Sequence, residues 1–365
     1  MFGILKAANF LKLYGKAKIG LLINQASFIQ PGFVFSLEYL QSLGFNIYKI
    51  LSPQHGLFPI EQANMIPSQS YYDQFLKKEV ISLYEGNYQF SKDKLANIDA
   101  VFVDIQDIGA RYYTYVWTVK LICDSGIEVV IFDRPNPLGG KKEGIKLNEK
   151  FFSFVGMMKI FNRHGLTIGD LFRDYKNVKI VEGDFKRLEN WNFKDWQELG
   201  LKWIPTSPNI PTFDTVYFYP GFALFEATNI SEGRGTTYPF EVFGAPFINE
   251  QNLKKRVDYY VKKYHINGVE FVYHRYKPTF DKYKGQVCNG LKMILTDKKK
   301  FHSVKTFLVV LKSIVDLYPE EFRFLDPPYE YEYQRMPIDI LWGDESLREN
   351  IYYKSGFENI LLKVL

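Results

Sequence analysis

Short apolar runs alternate with amphipathic stretches through the first 135 residues. The runs are Lys18–Asn24, Asn46–Leu51, Val80–Tyr84, Ala100–Ile105 and Glu128–Phe132, rich in Val, Ile, Leu and Phe. Continuous hydrophobicity of this kind predicts strands covered on both faces. Between them, Val34–Ser42 before Gly44, Lys92–Ala96 and Tyr115–Ser125 before Gly126 carry helical patterns. Strands alternating with helices predict an α/β fold built on a parallel sheet with right-handed crossovers. The segment His55–Lys78 is long for a connection in such a sheet, and long loops are often functional.

From Lys141 to about Pro220 the pattern loosens. Phe154–Met157, the turn-like Arg163-His164-Gly165, a helix opening near Thr167 and the proline-rich Trp203–Asn209 mark irregular backbone. Tyr219-Pro220-Gly221 reads as a turn at or near a domain boundary. Beyond it, the stretch Leu224–Ile230 and the glycine-rich Ser231–Thr237 precede helices over Glu250–Tyr264 and His302–Leu317 and strands near Phe271–Tyr276 and Leu291–Thr296. A short helix near Glu345–Ile351 follows. Mixed strands and helices predict a smaller α+β domain. The expected division is 1–220 and 221–365, with no internal repeat.

Composition narrows the class. With 365 residues, 46% hydrophobic and 24% charged, the chain can bury a large core without covalent staples. Two cysteines, Cys123 and Cys288, exclude a disulfide scaffold. The net charge of +5 is small and dispersed, and Lys298-Lys299-Lys300 reads as a solvated helix start, so no nucleic-acid partner is expected. No stretch has the length and apolarity of a membrane span. Met1–Phe10 is too short and interrupted for a signal peptide, so a cytoplasmic location is expected. The aromatic share of 17% fits an aromatic core, or a cleft whose rings stack on sugars or bases.

Polar residues gather after every candidate strand. Asn24-Gln25 follows the first, Ser52-Pro53-Gln54-His55-Gly56 the second and Tyr84-Glu85-Gly86 the third. Asp104-Ile105-Gln106-Asp107 follows the fourth and Asp133-Arg134-Pro135-Asn136-Pro137 the fifth. In open parallel sheets ligands bind beyond this edge. Helix caps and turns account for any one such cluster; five together point to a site. Neither G-x-G-x-x-G nor the P-loop pattern occurs, which removes the main warrant for a nucleotide. Arg111, near a helix start, suits a ligand carboxylate or phosphate, or alternatively an ion pair with Asp107. Gly233-Arg234-Gly235-Thr236 suits an anion, or is a simple glycine turn. His55 and His164 sit in polar loops, as turn supports or as catalytic groups. Asp104, Asp107, Asp133 and His55 are metal-ligand types without a metal-binding motif, and no G-x-S-x-G is present. Paired carboxylates acting on a glycosidic bond remain, a chemistry without cofactor.

Read together and in order, Ser52–Gly56, Asp104–Tyr115, Asp133–Pro137, Arg163–Gly165, Ser207–Asn209, Tyr219–Gly221 and Glu226–Gly235 resemble the hallmark motifs of the NamZ-type exo-β-N-acetylmuramidases. The resemblance runs from about Ile19 to the C-terminus. It implies a Rossmann-like domain joined to a smaller auxiliary domain, with a cleft between them that removes β-linked N-acetylmuramic acid from the non-reducing end of peptidoglycan fragments. It implies no metal and no nucleotide. The lactyl carboxylate of the sugar gives Arg111, Arg134 or Arg234 a physical task.

Gln54 stands where many members of that family carry Glu, and an amide cannot transfer a proton as a carboxyl does. The expected replacements are Glu61 as first-choice acid or base and Glu226 as the second carboxylate, unless the substrate's acetamide acts as nucleophile. Asn24, Gln54, His55, Asp104, Asp107, Arg111, Tyr113, Arg134, Asn136, His164, Asn209, Asn229 and Arg234 are the expected sugar-binding residues. The other readings are a sugar-binding protein without turnover, and a hydrolase of a different glycoside or one dependent on a metal.

Overall fold

The apolar runs become strands of one sheet in the computed structural model, which describes residues 2–60, 62, 68–84 and 90–364. They are β1 (Ile19–Leu22), β2 (Ile47–Ser52), β3 (Tyr71–Asp73), β4 (Lys78–Ser82), β5 (Ala100–Val103), β6 (Glu128–Phe132) and β7 (Val178–Val181). Their spatial order is β7-β6-β5-β1-β2-β4-β3, parallel throughout except for the antiparallel edge strand β3. Every residue of β1 and β5 is buried, as the unbroken apolar runs require. From β1 the chain winds to one side and from β5 to the other. The crevice between those two strands is therefore the switch point of a Rossmann-like sheet, where ligands usually sit.

Here that crevice is filled by the protein itself. Asn24, fully buried, donates from Nδ2 to the Gln106 carbonyl at 2.9 Å. Ser27 Oγ donates to the Asp104 carbonyl at 2.7 Å. Arg134 grips Asp104 through two hydrogen bonds of 2.7 and 2.8 Å and lies over the Phe2 ring. A charge-assisted, two-pronged pair of this kind is both strong and geometrically restrictive.

A second, smaller sheet of β8 (Val242–Ala245), β9 (Val269–Tyr276) and β10 (Cys288–Leu295) is antiparallel, in the order β8-β10-β9. The helices α1 (Tyr115–Asp124), α2 (Phe213–Phe222), α3 (Glu250–Lys263) and α4 (Ser303–Leu317) complete the main elements. On α4 every residue from Ser303 to Val315 except Lys305 is buried, so this helix is enclosed on all sides and runs through the core. The α/β class with a smaller α+β part is as expected. No helix among the described residues is long and apolar enough to cross a membrane.

The Pro220-Gly221 turn is corrected: both residues lie inside α2. Proline removes one backbone donor, and the next amide, Gly221 N–H, is taken by Ser303 Oγ at 2.7 Å. That hydroxyl also donates to the Phe218 carbonyl at 2.8 Å. The damaged helical ladder is thus patched from the start of α4, a partner invisible in the local sequence.

The two halves are tied by a buried charge cluster. Glu143, fully buried, meets Arg163 Nη1 at 2.7 Å, His302 Nδ1 at 3.1 Å and Lys141 Nζ at 3.3 Å. Burial would raise its carboxyl pKa, but the cations beside it hold it far below the usual range. Because the folded value lies below the unfolded one, this cluster stabilises above about pH 4.5 and its contribution is lost as the pH falls. Unfolding free energy measured from pH 7 to pH 3 should decline, and replacing Glu143 should flatten that decline.

Candidate active site

The pocket at the sheet's carboxyl edge is displaced from the filled crevice. Gln54 and His55, just after β2, form one wall, and Tyr112–Tyr115, leading into α1, form another. Ser207, Asn209 and Ile210 add a third side. The roof comes from Tyr219 and, in the second half, from Glu226, Arg234, Phe240, Tyr329 and Glu330. The cavity enclosed is about 60 Å³.

Its electrostatics are unusual for a loop-lined cleft. Arg234 is 5% exposed; its Nε bonds Glu232 at 2.6 Å and its Nη2 meets Asp281 at 2.5 Å. Its remaining nitrogen, Nη1, is buried and has no hydrogen-bond partner among the described residues. Glu232 also binds Lys282 at 2.7 Å, so the arginine is held on a rigid ionic base. Burial opposes the charge on Glu232, yet Lys282 and Arg234 bring its pKa down to about 2. Glu226 accepts a hydrogen bond from the Tyr329 hydroxyl at 2.7 Å, and desolvation raises its pKa. Glu330 is pushed up to about 7, by burial first and by Glu226 second.

Glu330 sits at a backbone position that side chains rarely choose. Tyr329 and Glu332 exchange both backbone hydrogen bonds at 2.9 Å, closing a two-residue turn. Its central residues, Glu330 and Tyr331, have φ of +43° and +67°. Such turns favour Asn and Gly, because other residues pay a steric penalty at positive φ. The Tyr331 ring is pinned edge-on to Phe154 at 5.5 Å. Backbone strain of this kind persists only where its surroundings fix it, and it clusters at functional sites.

His55, at φ +71°, is a further strained wall residue. Burial, with Arg234 nearby, lowers its pKa to about 4, so the imidazole is neutral at pH 7, and its buried Nδ1 has no partner among the described residues. The aromatic richness supplies both core and cleft. Tyr113 meets Tyr219 edge-on at 5.8 Å, and its hydroxyl donates to Thr206 Oγ1 at 2.7 Å.

Of the expected residues, Gln54, His55, Tyr113, Asn209, Glu226 and Arg234 come together here. Glu61 lies outside the described residues. The remainder are corrected to structural positions. Asn24, Asp104 and Arg134 fill the crevice already described. Asn136 donates to the Leu166 carbonyl at 3.0 Å and accepts from Leu138 N–H at 2.9 Å. His164 Nδ1 accepts from Leu166 N–H at 3.1 Å, and its Nε2 lies 3.4 Å from Asp107 Oδ2, which caps Gly109 N–H at 2.7 Å. The Asn229 side chain donates from Nδ2 to the Glu321 carbonyl at 2.7 Å and accepts at Oδ1 from Arg323 N–H at 2.9 Å.

Arg111 is the clearest correction. Its Nη1 and Nη2 are bonded to four carbonyls, Ile145, Ile160, Leu341 and Trp342, at 2.7–3.2 Å. It lies outside the pocket lining, and its charged end meets backbone carbonyls, not Asp107. Arg111→Met is expected to cost about 2–3 kcal/mol by leaving buried carbonyls unpaired. Urea denaturation would read that loss, and any discrimination between acidic and neutral sugars should survive it.

The residue missed by sequence reasoning is Glu330. Its sole early signal is an acid among tyrosines in Tyr329-Glu330-Tyr331. Among the described residues no group of three His, Cys, Asp or Glu side chains is arranged to hold a metal. Asp133 instead accepts from Thr167 and Gly169, and His55 faces the pocket.

Comparison with known proteins adds independent findings. A family model described as exo-β-N-acetylmuramidase NamZ, N-terminal, matches residues 19–214, and its C-terminal counterpart matches residues 217–364. The chain is 36% identical over 359 residues to the peptidoglycan β-N-acetylmuramidase NamZ of Bacillus subtilis (strain 168), spanning 96% of this chain and 83% of that protein. A crystal structure of a DUF1343 family protein from Bacteroides fragilis NCTC 9343 superposes with a TM-score of 0.78 at 25% identity, covering 99% of this chain and 97% of that one. A second from the same organism gives 0.67 at 23% identity, covering 99% and 96%, a likeness of fold.

Proposed function

The chain belongs to the exo-β-N-acetylmuramidase NamZ family, and from that premise we propose that its pocket releases β-linked N-acetylmuramic acid from the non-reducing end of peptidoglycan fragments. The observation that carries the assignment to this pocket is the Nη1 of buried Arg234, which has no hydrogen-bond partner among the described residues. A buried donor without an acceptor is costly, and a ligand carboxylate is the natural acceptor for a guanidinium. N-acetylmuramic acid differs from N-acetylglucosamine by a lactyl ether that ends in a carboxylate. Arg234 therefore distinguishes the acid sugar from the neutral one. Glu226 and Glu330, in the same pocket and both with raised pKa values, are carboxyls of the kind that a glycosidic bond cleavage uses in pairs. The tyrosine walls suit the apolar faces of a sugar ring.

The test is release of chromophore from a chromogenic β-N-acetylmuramide, beside the matching N-acetylglucosaminide and a chelator arm. Release from the muramide alone, unaffected by chelator, is expected. A melting shift on adding N-acetylmuramic acid without release would instead make the chain a sugar-binding protein, and activity abolished by the chelator would require a metal.

A further inference from the structure

We propose that Glu330 is the general acid of this reaction, and that Thr114 and Gln54 are positioning residues that hold its carboxyl toward the scissile bond. The inference rests on the pocket being a muramidase site, and it assigns a role that sequence reasoning gave elsewhere.

Three observations converge. First, Glu330 is 7% exposed, lines the pocket and has no cation paired with it among the described residues. Three other buried carboxylates are each paired with a cation: Asp104 with Arg134, Glu143 with Arg163, and Glu232 with Arg234 and Lys282. A buried carboxyl without such a partner is more readily kept protonated. Second, its orientation is fixed by a relay. Thr114 Oγ1 donates to Gln54 Oε1 at 2.6 Å, which leaves the Gln54 amide N–H group to face Glu330 and donate to its Oε2 at 3.3 Å. Threonine is thus what sets which end of the amide meets the carboxyl. Third, the strained Glu330-Tyr331 turn carries Tyr329 onto Glu226, so one turn joins both carboxyls to the sheet edge.

In the step itself, Glu330 gives its proton to the glycosidic oxygen as the bond from C1 to that oxygen breaks, and the bonding electron pair stays on the oxygen. Water then adds to C1, leaves its hydroxyl there and yields the proton that replaces the one spent. The groups facing Glu330 that govern its proton are Glu226, which holds it on, and Arg234 and the Gln54 amide, which favour its release. With a value of about 7, the acid form is populated at neutral pH and is lost as the pH rises further.

The deciding experiment compares leaving groups. A nitrophenolate departs without a proton, whereas the alkoxide of an N-acetylglucosamine residue does not. Glu330→Gln should slow cleavage of the β-1,4-linked N-acetylmuramyl-N-acetylglucosamine disaccharide about 10³-fold, within the range for loss of a proton donor. It should slow the nitrophenyl muramide about 10-fold or less, and abolish the fall in disaccharide turnover above pH 7. Gln54→Met removes the amide donor, so that limb should move to higher pH while the substrate KM stays within about threefold. Equal losses on both substrates, or an unshifted limb in both variants, would overturn the assignment. Should Glu330→Gln fail to fold, the Gln54→Met profile decides alone. Failure of the wild-type chain to cleave either muramide would overturn the muramidase reading first, and the assignment with it.

Discussion

Arg234→Lys is expected to lower kcat/KM for N-acetylmuramides about 30-fold or more, while leaving any residual cleavage of N-acetylglucosaminides within about threefold. The substitution keeps the positive charge, and a lysine ammonium can still meet Glu232 and Asp281. What it cannot do is reach a third acceptor at a fixed angle, since the planar fork of the guanidinium is gone. In the native chain, Nε and Nη2 are committed to those two acids and Nη1 is left over. The lactyl carboxylate would then enter a desolvated pocket without its partner, a loss of at least about 2 kcal/mol, or roughly 30-fold. Steady-state kinetics on the two sugars decide it. A parallel loss on both would mean that the arginine serves the pocket's architecture and not its choice of sugar.

Glu143→Ala should be the most destabilising single change discussed, at about 3–5 kcal/mol, because it leaves Arg163 buried without its counter-charge. Arg163 is 3% exposed, so its charge is shielded from bulk solvent. Its guanidinium also donates to the Leu138 carbonyl. Lys141 also donates to the Phe301 carbonyl, and Val304 N–H at the head of α4 points to Glu143 at 3.4 Å. Removing this carboxylate therefore loosens the start of a helix belonging to the other half. Urea midpoints at pH 7 would report the loss. A double variant with Arg163→Met should recover part of it, since an apolar pair avoids the stranded charge. Loss of less than about 1 kcal/mol would show that the cluster is hydrated and contributes as a surface pair does.

The sheet was legible because its signal is physical and local. Residues such as Val101, Phe102 and Val103 form an apolar run that only a doubly covered strand tolerates, and the polar residues after each run mark the edge where sites form. The choice among arginines was not legible. Arg111, Arg134 and Arg234 have the same chemistry in the sequence, and what separates them is what reaches each guanidinium from afar. Four carbonyls take both ends of the Arg111 fork, Asp104 takes Arg134, and two acids hold Arg234 in the pocket wall with one end of its fork left over. Helix α2 was missed because Pro220 and Gly221 carry a strong turn signal that Ser303, more than eighty residues away, overrides. Glu330 escaped notice for a related reason. Its turn lacks the glycine or asparagine that would announce positive φ, and its partner Gln54 lies 276 positions earlier.

The plugged crevice between β1 and β5 changes what kind of scaffold this is. A Rossmann-like sheet normally owns its ligand, and altering that ligand means disturbing the strands that carry the core. Here the sheet acts as a floor, contributing Gln54, His55 and the tyrosines after β5, while the acids and the arginine arrive on a separately built roof. Stability is invested in one part and chemical identity in the other. Grafting a different roof loop, or shortening the turn at Glu330, would alter the sugar accepted without touching a single central strand, which makes the second half the place to begin any attempt to redirect the enzyme to a new glycan.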